Sequence, residues 1–121
     1  MKTNEFRFES LEVYQRSLAL SKKIYLLSQS WPKEHLFGIT DQFRRATLSV
    51  SLNIAEGSSR TRQDFRHFLS ISRGSCFECI PLLHLAASLK LLSPQEEQII
   101  YNELISLSQM LSKLRSSLSS K

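Results

Sequence analysis

SPQEEQIIYNELISLSQMLSKLRSSL, residues 93–118, decides the fold. Ser93 can cap a helix with its hydroxyl, Pro94 suits the first helical position, and Glu96 stands where a capping box wants a carboxylate. Behind this start, Ile100, Leu104, Leu107, Leu111, Leu114 and Leu118 recur at spacings of 4, 3, 4, 3 and 4. That is a heptad seam, a row of apolar side chains along one line of a helix that must be buried against other helices.

Working outward, three breaks divide the chain: Trp31-Pro32 with the loop to Gly38, Gly57-Ser58-Ser59, and Ser93-Pro94. Apolar residues recur at helical spacing between them. The spacing predicts helices over 10–30, 40–56, 61–90 and 93–118, with a short helical turn within Pro32–Phe37. Ser10 is read as the first N-cap, and Gly57 as the stop of the second helix. Thr61-Arg62-Gln63-Asp64 resembles a capping box with Asp in place of Glu. In the first helix, Leu11, Tyr14, Leu18 and Tyr25 form one stripe, and Val13, Leu20, Ile24 and Leu27 another. In the second, Phe43, Ala46, Val50 and Ile54 form the core stripe, while Leu48, Leu52 and Ala55 form a second strip between Arg44 and Arg45. Pro81 lies inside the third helix, where a missing donor and a crowded carbonyl predict a kink near Phe77–Ile80.

Four helices joined by short loops imply an all-α, antiparallel up-down-up-down four-helix bundle, one domain over residues 1–121. Composition agrees. With 121 residues, 3 Gly and 3 Pro, turn residues are too sparse for a many-stranded sandwich or barrel. The hydrophobic fraction of 41% excludes a disordered chain. The longest run without a charged residue, Cys79 to Leu89, is 11 residues, short of the roughly 20 of a spanning helix. MKTNEFRFES lacks the apolar centre of a signal peptide, so a cytoplasmic location without membrane contact is expected. After Pro81 the third helix is apolar almost all round, through Leu82, Leu83, Leu85, Ala86, Ala87 and Leu89. Such surplus faces point to self-association.

Charge supplies the functional signal. The formal net charge is +5, and the segment Gln42–Phe77 holds six arginines against Glu56 and Asp64, contributing +4 of it. Arg62, Arg66 and Arg73 fall within about 40° of one another on a helical wheel of 3.6 residues per turn. With Arg44, Arg45 and Arg60 they are either a phosphate-binding set, for RNA or DNA, or a solvated charged face, or ion-pair partners across a subunit contact. No aromatic platform for single strands is interleaved with them. Cys76-Phe-Glu-Cys79 has metal-like spacing, yet both sulfurs fall on the core face with Phe65, Phe68 and Leu83. Packing is therefore expected, with no metal, no redox role and no cofactor. His35, His67 and His84 form no catalytic constellation, and an enzyme is not expected.

Two clusters carry a resemblance. Gln42 to Gly57, with Arg45-Ala46, Ser49 and Asn53-Ile54-Ala55-Glu56-Gly57, and Phe68 to Glu78, with Phe68-Leu69, Ile71 and Gly74-Ser75, resemble the R-A-x-S-x-x-N-I-A-E-G and F-L-x-I-x-x-G-S-x-x-E signatures of a bacterial four-helix-bundle family. That family takes its name from proteins encoded in intervening sequences of large-subunit ribosomal RNA genes. The resemblance spans about residues 6–118. It implies a homopentamer, and a relative among retroelement accessory proteins implies nucleic acid and a reverse transcriptase as partners. Physically, Asn53 at the edge of its stripe can fix helix register, and Glu56 at a helix C-terminus needs a cationic partner. Gly74 and Ser75 lack bulk, which admits a close helix backbone.

Overall fold

The computed structural model describes residues 6–118. Met1–Glu5 and residues 119–121 lie outside the described residues. The chain forms four long helices, α1 Glu12–Ser28, α2 Asp41–Ser58, α3 Arg62–Ser88 and α4 Pro94–Ser117, with no strand among the described residues. They pack as a helical bundle about one core. In the heptad seam of α4, Ile100, Leu104, Leu107 and Leu111 are fully buried. Against them lie Val13, Leu20 and Ile24 of α1, Phe43, Val50 and Ile54 of α2, and Leu69, Cys76, Cys79 and Leu83 of α3. Of the other stripe read in the first helix, Leu11 and Tyr14 pack against the core, whereas Leu18 and Tyr25 are exposed, as are Leu48 and Leu52 of α2.

The caps of α3 and α4 form as their sequences direct. The Thr61 hydroxyl accepts from the Asp64 amide at 3.1 Å. At α4 the Glu96 amide donates to Ser93 Oγ at 3.0 Å, and the Ser93 amide donates to Glu96 Oε1 at 2.9 Å. α3 runs unbroken through the exposed Pro81 to Ser88. It ends in a Schellman-type turn, in which Lys90 takes a positive φ of 63°. There the Lys90 amide donates to Ala87 O and the Leu91 amide to Ala86 O, both at 2.9 Å.

Two expectations, on Ser10 and Gly57, need correction, and the predicted turn before α2 is present. Ser10 does not cap α1: it closes a short 3-10 turn, Arg7–Ser10, with its hydroxyl on Arg7 O, and Leu11 holds the N-cap position. The predicted turn within Pro32–Phe37 is a 3-10 turn, Lys33–His35, followed by an irregular turn Leu36–Thr40 in which Gly38 leaves helical geometry (φ −110°, ψ −112°). Gly57 does not stop α2, which continues to Ser58. Its missing side chain serves packing: a Cβ there would lie 2.5 Å from Phe68 Cβ and 3.0 Å from Phe65 Cδ1. Only glycine lets the end of α2 sit so close to the start of α3.

Candidate nucleic-acid interface

The six arginines of the 42–77 segment separate into two groups. Arg44 is drawn toward α1, where its Nε donates to Ser28 Oγ at 2.8 Å and its guanidinium lies 4.5 Å from the Tyr25 ring centre. Arg45 donates to Asp41 Oδ2 at 2.9 Å, four residues back on the same helix. Arg60 grips Glu56 Oε2 through Nη2 at 2.6 Å and Nε at 3.1 Å, and stands over the Phe68 ring at 5.2 Å. Glu56 thus has the cationic partner that its place near a helix C-terminus demands.

Arg62, Arg66 and Arg73 differ. None of the three forms an ion pair with a carboxylate among the described residues. Arg73 stacks its guanidinium 4.8 Å from the Phe77 ring centre, which leaves its charge for a ligand. Arg62 and Arg73, eleven residues apart, are about 16 Å apart along the helix axis at about 1.5 Å per residue. The stripe read on the helical wheel is therefore present on α3. Arg44, Arg45 and Arg60 are engaged elsewhere.

The motif residues on α2 and α3 form a polar clasp. The Asn53 amide donates to Ser49 O at 2.8 Å and Ser49 Oγ at 3.0 Å, and Ser49 Oγ shares a 2.9 Å hydrogen bond with Ser75 Oγ. One turn away the buried Ser72 hydroxyl donates to Val50 O at 2.7 Å. The Ser49–Ser75 and Ser72–Val50 bonds tie α2 to α3, while the Asn53 amide bonds within α2 and supports Ser49. Gly74 does not admit a neighbouring helix of this chain: a Cβ there would meet nothing within 4 Å. Glu78, also in the motif, is exposed.

Cys76 and Cys79 are free and buried, in agreement with a packing role. Burial pushes the Cys76 thiol up to about 11, against smaller opposing effects of a Ser108 hydrogen bond and the Arg73 charge. Burial raises Cys79 further. Among the described residues no group of three or more His, Cys, Asp or Glu could hold a metal ion. No described helix is long and apolar enough to cross a membrane.

Two polar contacts had no sequence signal. Arg16 of α1 makes a two-pronged ion pair with Glu103 of α4, at 2.6 and 3.0 Å. Arg115, in the last turn of α4, joins Gln63, Arg66, His67 and Ser70 of α3 around one cleft. Both bring together side chains far apart in sequence.

These features define a basic all-α bundle whose α3 carries a stripe of arginines without carboxylate partners among the described residues. The chain belongs to the 23S rRNA-intervening sequence protein family, whose model matches residues 9–113. It is also similar to a solved protein of unknown function from the S23 ribosomal protein family of Bacteroides thetaiotaomicron. The identity is 23% and the TM-score 0.78, with 86% of this chain and 95% of that chain covered. At that identity the likeness establishes the fold. No curated protein matches the chain.

Proposed function

We propose that this protein is a non-enzymatic, nucleic-acid-binding accessory protein, acting in the cytoplasm as a closed ring of up-down-up-down bundles, with a pentamer expected. The observation that carries the binding is the α3 stripe. Arg62, Arg66 and Arg73 share one side of the helix and have no carboxylate partners among the described residues. Unpaired guanidiniums in a row suit the regularly spaced phosphates of RNA or DNA. No element suited to reading base edges is visible, so sequence preference is weak. Self-association is supported by exposed Leu18, Tyr25, Leu48, Leu52, Leu85 and Leu89, apolar side chains of the kind that partner surfaces use.

Titration of RNA and DNA at several salt concentrations tests the binding. If two subunits each place three arginines on phosphates, about six charges are neutralised. The slope of log K against log salt for a single strand is then about −4. Changing Arg62, Arg66 and Arg73 together to Ala flattens that slope and leaves the light-scattering mass unchanged. Absence of retardation of either nucleic acid at low salt overturns the reading. The same exposed leucines favour the second reading, an oligomeric scaffold for another protein such as a reverse transcriptase. A 14.0 kDa species in solution overturns the ring under both readings.

A further inference from the structure

Arg115 changes what the start of α3 can do. A cleft of about 210 Å³ is lined by Gln63, Arg66, His67, Ser70 and Arg115. At about 30 Å³ per water molecule, the space is several waters in size and can admit a compact anion. No Asp or Glu lines it. It gathers two guanidiniums, an imidazole and a carboxamide from two helices that approach there only in the folded chain. The Ser70 hydroxyl is turned back onto Arg66 O at 3.3 Å and forms wall rather than donor.

Arg66 is half-buried at the wall of this cleft. Arg66 Nε is shielded from water and has no hydrogen-bond partner. A buried donor on a cation is costly to leave unmet. The neighbouring groups, Arg115, His67 and Gln63, add donors rather than a carboxylate to satisfy it.

We infer that this cleft is a phosphate-oxygen site, filled by a backbone phosphate of a bound strand or by a free phosphate group. The first source rests on the nucleic-acid reading above; the second does not. Phosphate is favoured over a peptide carboxylate by donor number. Two guanidinium forks, an imidazole and an amide offer more N–H groups than two carboxylate oxygens readily accept; a free phosphate presents up to four oxygens to them, and a backbone phosphate adds its ester oxygens to its two non-bridging ones in a tetrahedral array. Arg115 thereby joins the α3 stripe, from a helix outside the arginine-rich segment.

The test compares wild type with Arg115→Ala, His67→Gln and, on α1, Lys22→Ala. His67 and Arg115 are both exposed, so helix content by circular dichroism and mass by light scattering should stay at wild-type values. A fluorescein-labelled oligouridylate is titrated at several salt concentrations, and inorganic phosphate is titrated while the His67 ring signals are followed by NMR. Arg115→Ala is expected to weaken oligouridylate binding about tenfold, the equivalent of one charge-assisted hydrogen bond. It should also reduce the salt slope by about 0.7 for each phosphate that is no longer neutralised. Lys22→Ala should bind as wild type does. If wild type binds oligouridylate and both cleft variants bind equally well, the cleft site is overturned while the broader reading stands. If wild type ignores oligouridylate but phosphate shifts His67 saturably, and Arg115→Ala abolishes that shift, the cleft stands and its source is free phosphate. Failure of both probes overturns both. A polyglutamate that shifts His67 as strongly as phosphate overturns the phosphate assignment.

Discussion

α3 has two unlike sides. Toward α2 it is closed: Gly57 admits Phe68, Ser72 is bonded to Val50 O, and Ser75 is tied to Ser49, which also accepts from Asn53. Toward α4 it is open at two places along the shared seam. The basic cleft of Arg66 and Arg115 lies at one end, and an apolar groove lined by Phe77, Ile80, Tyr101 and Ile105 lies further along. The family-like residues Asn53, Gly57 and Ser75 crowd the closed side, while the unpaired arginines Arg62, Arg66 and Arg73 belong to the open one. A motif can therefore record how two helices lock together, and the binding chemistry can lie beside it.

The α4 seam beneath the open side sets the largest expected effect. Leu107 is fully buried and Ile105, two residues away, is 40% exposed. Leu107→Ala should cost about 2–5 kcal/mol through lost transfer energy and a cavity. Ile105→Ala should stay within about 0.5 kcal/mol if the apolar groove is solvent-facing in solution. Urea denaturation of both variants measures the contrast. An Ile105→Ala cost close to that of Leu107→Ala would show that the groove is covered in the assembly.

The buried thiols make the core's stability depend on alkaline pH. With its pKa raised from 9.0 to about 11, the folded Cys76 keeps its proton where the unfolded thiol has lost it. The contribution is complete below about pH 9 and is lost as pH rises toward about 11, at about 1.4 kcal/mol per pH unit. Denaturation midpoints of wild type should fall faster over that window than those of the Cys76→Ala, Cys79→Ala double variant. Equal pH slopes would mean that solvent reaches the thiols through the groove.

On the closed side, Gly57→Ala should cost about 1–3 kcal/mol, because its methyl must displace Phe68 or the helix itself. Gly74→Ala, with open space around it, should add about 0.5–1 kcal/mol of helix stability. Thermal melting of the two variants gives opposite signs. A Gly74→Ala variant that instead lowers the assembly state would place a second subunit's backbone against Gly74.

These pairs also show what was legible in the sequence. The heptad seam of α4 and both capping sequences were readable because periodicity and caps are local. Gly57 misleads because its local signal, a glycine near a helix end, also fits a stop, and only Phe65 and Phe68 across the seam reveal the close approach. The α3 stripe was readable on a helical wheel, which says where arginines lie on their own helix. It does not say that Asp41, Glu56 and Ser28 occupy the other three. Arg115 had no signal, since its company with Arg66 and His67 arises only when α4 packs on α3.

The smallest contrast uses two serines of α3. Ser72 is fully buried and its hydroxyl donates to Val50 O of α2 at 2.7 Å, whereas the exposed Ser70 bonds only to Arg66 O within its own helix. Ser72→Ala leaves a buried carbonyl short of one partner and should cost about 1 kcal/mol. Part of this is offset by the better helix propensity of Ala, worth a few tenths of a kcal/mol. Ser70→Ala breaks no hydrogen bond between helices, so the same propensity gain should appear alone as a slight stabilisation. The difference between the variants in urea midpoint, at unchanged m-value, isolates what the bond to α2 contributes. Equal midpoints would mean that Ser72 contributes no more to the closed side of α3 than a serine at its edge.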